Sequence, residues 1–270
     1  MKASEQDFTH DVIQTPFPLV NGLLGGGIAT KKVTEIAGSW GVGKSTGAYQ
    51  IIGAAQKQNR ACLLIDAERA YTNEYGTLLG VDTKSLDVFR ARTAEEYLDH
   101  VIEWCETKKN KGGLVVIDAI GALLPQEEAE KTSEARTIGL QARIIGSFCR
   151  KIVPILDDNN IALLILNHTF IPLGQMGIAS SGGKKLEYTR SVWLILSRKY
   201  GAPVKKDADG KKTLIPMSVE VRKNKLIANE GTKIDLDLVS GAGFVGETVE
   251  APPKKKPGRP KSLSTLKVDI

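Results

Sequence analysis

The chain has 270 residues, 41% hydrophobic and 25% charged, a composition that supports a sizeable core and excludes wholesale disorder. Its formal charge of +6 is uneven: residues 251–270 hold Lys254, Lys255, Lys256, Arg259, Lys261 and Lys267 against the single acid Asp269, so the first 250 residues are nearly neutral. Three scattered cysteines, a polar N-terminus and apolar runs of strand length only exclude a disulfide framework, a secretory signal and a membrane span, and predict a reduced, cytoplasmic protein.

Residues 33–37 read as a strand, followed by a glycine-rich turn at 38–43 and a helix over 44–57. A second apolar run, 61–66, is strand-sized. In 94–109 the apolar positions Tyr97, Val101 and Trp104 recur at spacings of four and three, the period of a helix. The continuous apolar runs 114–118 and 161–166 predict buried strands, with a long helix over 139–158 between them and a kink at Pro154. Strands alternating with helices in this way predict a parallel sheet covered by helices.

Beyond His168 the pattern changes. Residues 169–183 show no period and read as a long loop. Residues 191–197, 214–221 and 233–239 read as strands, the first two joined as a hairpin with a polar turn at 207–210. From Glu247 onward the chain is rich in proline and lysine and reads as a disordered tail. The predicted organisation is a short N-terminal segment at 1–18, a core at 19–246 and a basic tail at 247–270.

The run Gly38, Ser39, Trp40, Gly41, Val42, Gly43, Lys44, Ser45, followed by Thr46, fits G-x-x-x-x-G-K-[ST] between a strand and a helix. Glycines let backbone N–H groups converge on phosphate oxygens, and the helix adds its positive N-terminal end. Lys44 neutralises the outer phosphates and the Ser45 hydroxyl ligates Mg²⁺, so the expected ligand is ATP with Mg²⁺. Asp118 closes the strand Leu-Val-Val-Ile-Asp beside that loop, where a carboxylate helps hold the metal. Glu68, just past the strand 61–66, stands at the same end of the sheet, placed to polarise a water for attack on the γ-phosphate.

These residues and their order resemble the ATPase core of the RecA recombinases. The resemblance runs from GSWGVGKSTGAYQIIGAAQ through CLLIDAERAY, YGTLLGVD and VVIDAIGALLP, and continues in IGLQARIIGSFCRKI, LLILNHT, SSGGKKLEYTRSV and VRKNK. The histidine of LNHT, where bacterial members have glutamine, looks more like the phage UvsX branch and a bacterial-host setting. The implied fold is an α/β RecA-type phosphate-loop core: a mostly parallel sheet flanked by helices, with an antiparallel extension.

By that resemblance Glu68 is the general base, His168 the γ-phosphate sensor and Tyr75 the ring that stacks on adenine. Residues 130–139 and 169–183 match two loops that line single-stranded DNA. Arg143 and Arg150 match basic residues near that DNA, and Gly182 and Gly183 match backbone donors to its phosphates. Lys223 and Lys225 match a pair that reaches a neighbouring subunit's ATP. The resemblance also implies an N-terminal arm longer than the 18 residues ahead of Leu19, and a C-terminal globular domain where this chain has its tail. The tail segment Lys-Lys-Lys-Pro-Gly-Arg-Pro-Lys (254–261) resembles an AT-hook, in which Arg259 would lie in the minor groove of A·T-rich duplex DNA; the alternative is a generic basic tether attracted to any polyanion. The function expected from these features is that of a DNA-dependent ATPase and recombinase assembling as a homo-oligomer or filament on single-stranded DNA. The alternative is a DNA-binding mediator that uses ATP as an assembly switch without strand exchange.

Overall fold

The computed structural model describes residues 9–130, 139–172, 177–210 and 212–249. In chain order the elements are β1 (Val12–Ile13), α1 (Pro18–Leu24), β2 (Ile28–Ala29), β3 (Val33–Gly38), α2 (Lys44–Lys57), β4 (Cys62–Asp66), α3 (Asn73–Leu78) and β5 (Leu86–Phe89). They continue with α4 (Ala94–Glu106), β6 (Leu114–Asp118), α5 (Gln126–Glu130), α6 (Leu140–Asn159), β7 (Ala162–Phe170), β8 (Ala179–Ser180) and α7 (Gly183–Thr189). The last are β9 (Val192–Arg198), β10 (Lys205–Lys206), β11 (Lys212–Asn224), β12 (Lys233–Val239) and β13 (Gly243–Val249).

One large sheet runs in the order β13-β12-β11-β9-β3-β7-β6-β4-β5. From β9 to β5 neighbouring strands are parallel; β11, β12 and β13 are antiparallel to their neighbours. The expected mixed sheet is present, and the expected hairpin joins β9 to β11, with Met217 opposite Arg198.

The parallel strands are apolar on both faces because both faces are covered. Leu64, Val116 and Leu164 point to one side, into a core with Tyr49, Ile51 and Ile52 of α2. Leu63, Val115 and Leu163 point to the other, into a core with Tyr97 and Val101 of α4 and Ile145, Phe148 and Ile152 of α6. Helix α4 starts with a reciprocal cap, in which Thr93 Oγ1 accepts from the Glu96 N–H and Glu96 Oε2 accepts from the Thr93 N–H. Helix α6 carries Pro154 inside it and continues to Asn159.

Three expectations need adjustment. Residues 179–183 are not loop throughout: β8 pairs with the end of β7, Thr169 opposite Ser180, and α7 begins at Gly183. The tail does not begin at Glu247, because β13 runs through Val249, paired with Ile234 of β12. Strand β5 and helix α3 add elements where none was expected. Residues 131–138 and 173–176, within the two expected DNA loops, and Arg259 with its surrounding motif lie outside the described residues.

Candidate functional site: a phosphate-loop cleft

Parallel strands deliver their C-terminal ends to one edge of the sheet. Gly38 at the end of β3 lies opposite His168 on β7, and Asp66 at the end of β4 lies opposite Asp118 at the end of β6. The residues beyond these ends surround a cleft of about 330 Å³ lined by Trp40, Gly41, Gly43, Lys44, Ser45, Thr46, Glu68, Asp118, His168 and Leu238. Most of the expected cleft residues are therefore neighbours in space.

The loop from Gly38 to Gly43 turns into α2 through Gly43, whose φ of 89° suits a residue without a side chain. A Cβ there would lie 2.9 Å from the Phe244 ring, so the glycine also lets β13 close over the helix start. Lys44 is buried, and its Nζ donates to the carbonyls of Gly38 at 3.0 Å and Ser39 at 2.9 Å. Burial pushes its pKa down, while the Glu68 and Asp118 carboxylates oppose that shift. The ammonium is thus braced across its own loop, with two carboxylates nearby.

Asp118 is 1% exposed, and burial pushes its pKa up to about 6, with the neighbouring Ser45 hydroxyl opposing that shift. Its Oδ2 is buried with no hydrogen-bond partner. An orphaned carboxylate oxygen beside a serine hydroxyl, at the mouth of a phosphate loop, is a donor set that fits a hydrated Mg²⁺. The carbonyl of Asp118 accepts from the N–H groups of Ala67 at 2.9 Å and Glu68 at 3.2 Å. Main-chain bonds therefore carry Glu68 to its place beside the metal-ligand candidate.

Across the cleft, His168 Nε2 and Glu68 Oε1 form a 2.9 Å hydrogen bond, both side chains partly exposed. The Asp66 carboxylate serves the fold: it is buried, pairs with Arg90 at 2.6 Å and accepts from the N–H of Ala70. Tyr75 stands on α3 beside α2, its hydroxyl 2.8 Å from Thr46 Oγ1. Its ring packs edge-on to Tyr49 at 6.1 Å. That puts an aromatic face next to the phosphate loop, and Trp40, 82% exposed, stands at the tip of the loop.

The remaining expected residues lie elsewhere. Arg143 and Arg150 are both exposed on α6, two helical turns apart and so on one face. Gly182 and Gly183 lead into α7, with φ of 105° and 78°, and a Cβ on Gly183 would lie 3.0 Å from that of Ala142, next to Arg143. The structure thus gathers Arg143 and the glycine pair.

Lys223 and Lys225 do not reach this subunit's cleft. Lys223 lies opposite Trp193, and Lys225 donates its N–H to Ser191, at the start of β9 rather than its phosphate-side end. At about 3.3 Å per residue, that is roughly 10–17 Å down the sheet from the phosphate loop. Their ammonium groups donate to the carbonyls of Glu187 at 2.5 Å and Tyr188 at 2.9 Å, in the last turn of α7.

Sequence reasoning missed Glu35, Asn167 and Arg190, which form a buried polar cluster next to His168. The signal was present as a glutamate inside an otherwise apolar run, but its partner stands 155 residues away. It also missed Leu238 and Phe244, which the antiparallel strands bring to the phosphate loop.

A sequence-family model described as the RecA N-terminal domain matches residues 3–245. Among curated relatives, the chain is 33% identical over 228 residues to Protein RecA of Helicobacter acinonychis (strain Sheeba), covering 82% of this chain and 63% of the relative. It is 32% identical over 231 residues to Protein RecA of Sulfurovum sp. (strain NBC37-1), covering 83% and 65%. Protein RecA of Helicobacter pylori (strain P12) is 33% identical over 228 residues, covering 82% and 63%. The chain spans less than two thirds of the length of these relatives. No helix among the described residues is long and apolar enough to cross a membrane.

Proposed function

The chain belongs to the RecA family, and from that premise we propose that it is an ATP-dependent DNA recombinase. In this reading it coats single-stranded DNA as a homo-oligomer or filament, pairs the strand with a homologous duplex, and hydrolyses ATP to ADP and phosphate. The observation that carries the reading is the Glu68–His168 bond across a cleft that also holds Lys44 and Asp118. It joins a candidate base to a strand, β7, that leads towards the glycine pair.

The chemistry follows from the residues. Lys44 neutralises charge on the outer phosphates of ATP, and the N–H groups of the loop orient them. Glu68 accepts the proton of the attacking water through the oxygen that His168 leaves free. His168, bonded to Glu68 and facing the cleft, senses whether the γ-phosphate is present. Mg²⁺, which Ser45 and Asp118 would hold, supplies neutralisation of the phosphate charge. Tyr75 offers its ring to the adenine.

On the DNA side, Arg143 and Arg150 present charge, and Gly182 and Gly183 present main-chain N–H groups. The distance of Lys223 and Lys225 from the cleft supports their acting on a neighbour's ATP, since they cannot serve their own. The basic segment at 254–261 would tether duplex DNA, with Arg259 favouring A·T-rich sequence. Affinity for A·T-rich and G·C-rich duplexes should therefore differ in the full-length chain and converge in Arg259→Ala.

The deciding experiment is negative-stain microscopy with single-stranded DNA and a non-hydrolysable ATP analogue, run beside an ATPase assay with and without that DNA. Helical filaments and DNA-stimulated turnover are expected. Isolated particles or closed rings would instead favour a mediator that does not exchange strands.

A further inference from the structure

Between the cleft and the Gly182–Gly183 turn lies a buried cluster that none of the chemistry above uses. Glu35, in the middle of β3, is fully buried, and its Oε2 accepts from Arg190 Nη1 at 2.6 Å. The same nitrogen donates to Ser180 Oγ at 2.9 Å, on β8. The guanidinium lies over the Trp193 ring, 3.7 Å from its centroid.

Asn167 is also fully buried, and its three bonds point three ways. Its amide nitrogen donates to Glu35 Oε1 at 3.1 Å and to the Ser181 carbonyl at 2.7 Å. Its amide oxygen accepts from the His168 N–H at 2.8 Å. One side chain therefore holds the main chain of the sensor histidine, the β3 carboxylate and the residue just before the glycine pair.

We propose that Asn167, anchored by the Glu35–Arg190 pair, is a positioning residue that makes the placement of His168 and of the Gly182–Gly183 turn a single variable. The inference rests on the reading that His168 answers to ATP and the glycine turn to single-stranded DNA. A buried amide that drops a bond leaves a desolvated group unpaired, so a shift of His168 is handed on to Ser181 rather than absorbed. The cluster also holds unspent capacity. Arg190 Nε and Trp193 Nε1 are buried with no partner, so donors stand ready for a second arrangement of the 180–181 segment. An element with two arrangements, biased from both ends, is the physical requirement for coupling two sites.

The test measures the ratio of affinities for a fluorescent oligo(dT) with a non-hydrolysable ATP analogue and with ADP, in the full-length chain. In the wild type the ratio should fall in the range of about 5–150, an ordinary allosteric coupling. Asn167→Ala should bring it to about one with nucleotide affinity unchanged, the full loss of that coupling. Ser180→Ala is milder, since it keeps the Glu35–Arg190 pair and Asn167, and should lower the ratio in part; it decides the matter if Asn167→Ala fails to fold. Leu98→Ala, on the buried face of α4, controls for lost stability and should keep the wild-type ratio. A wild-type ratio in Asn167→Ala, or in Ser180→Ala where it stands alone, would overturn the proposal. So would an equal loss in Leu98→Ala. A ratio of one in the wild type itself would instead sink the recombinase reading, and this inference with it.

Discussion

In the parallel half of the sheet, β5 to β9, both faces are covered by helices and the strand ends fall in register at one edge. In the antiparallel half, β11 to β13, successive strands run in opposite directions, and the buried side chains Met217, Val219, Ile234, Leu236 and Phe244 join the core on the α2 side. The parallel half therefore concentrates chemistry: Lys44, Glu68, Asp118 and His168 come from four different strand ends and meet in one cleft. The antiparallel half distributes it. Leu238 and Phe244 reach the phosphate edge, while Lys223 and Lys225 fall towards the far one. Direction of pairing, more than residue type, decides which side chains can cooperate within one subunit.

The comparison breaks most visibly at Lys44. Lys44→Ala removes both the phosphate charge partner and the brace to Gly38 and Ser39, and should cut ATP turnover by at least about 10²–10³-fold. Phosphate release and binding of a fluorescent ATP would measure it; near-normal turnover would mean that the cleft is not the catalytic site. Next is Glu68→Gln, which keeps shape but loses the base. Hydrolysis should fall by about 10²–10⁴-fold while nucleotide binding persists. Wild-type hydrolysis in the presence of single-stranded DNA would remove Glu68 from the chemistry.

Gly43 is where the two halves touch, and Gly43→Ala sharpens the contrast. The left-handed backbone alone makes the substitution cost about 1–3 kcal/mol, and the Phe244 ring stands where the methyl would go. Urea denaturation of the variant, with Phe244→Leu as a relieving second change, would show whether the ring contributes. The smallest effect is expected at the far edge. Lys223→Ala and Lys225→Ala should each cost α7 only about 0.3–1 kcal/mol through the lost helix-end bond, and leave nucleotide affinity of the isolated subunit intact. DNA-stimulated hydrolysis should nonetheless fall, because a site completed by a neighbour exists only in the assembly. Weakened nucleotide binding by the monomer would place these lysines in the subunit's own site.

The parallel half was also the more legible half. Strands 62–66 and 114–118 announce themselves as unbroken apolar runs because both faces are buried, and the phosphate loop has fixed spacing. The rest was hidden for physical reasons. In β13, Gly-Phe-Val-Gly-Glu-Thr-Val, two glycines and a polar stretch dilute the alternation, so its end was read as tail. Helix α7 is seven residues long, too short to display a period. Ser180 and Ser181 read as loop because their meaning lies in Arg190 and Asn167, and no local pattern reports a partner. Glu35 was passed over as one charge in a strand, since burial of a carboxylate becomes visible only when the guanidinium that compensates it is in view.

The contact between Gly43 and Phe244 has a consequence for how the molecule is made. The two residues are about 200 positions apart, and Gln50 also ties the main chain of Phe244 to α2 by bonds at 2.9 and 3.2 Å. During synthesis the phosphate loop and α2 leave the ribosome early, with that flank of the helix uncovered until β13 arrives. Contacts so distant in sequence are slow to form, and an apolar helix face awaiting its cover is exposed to aggregation.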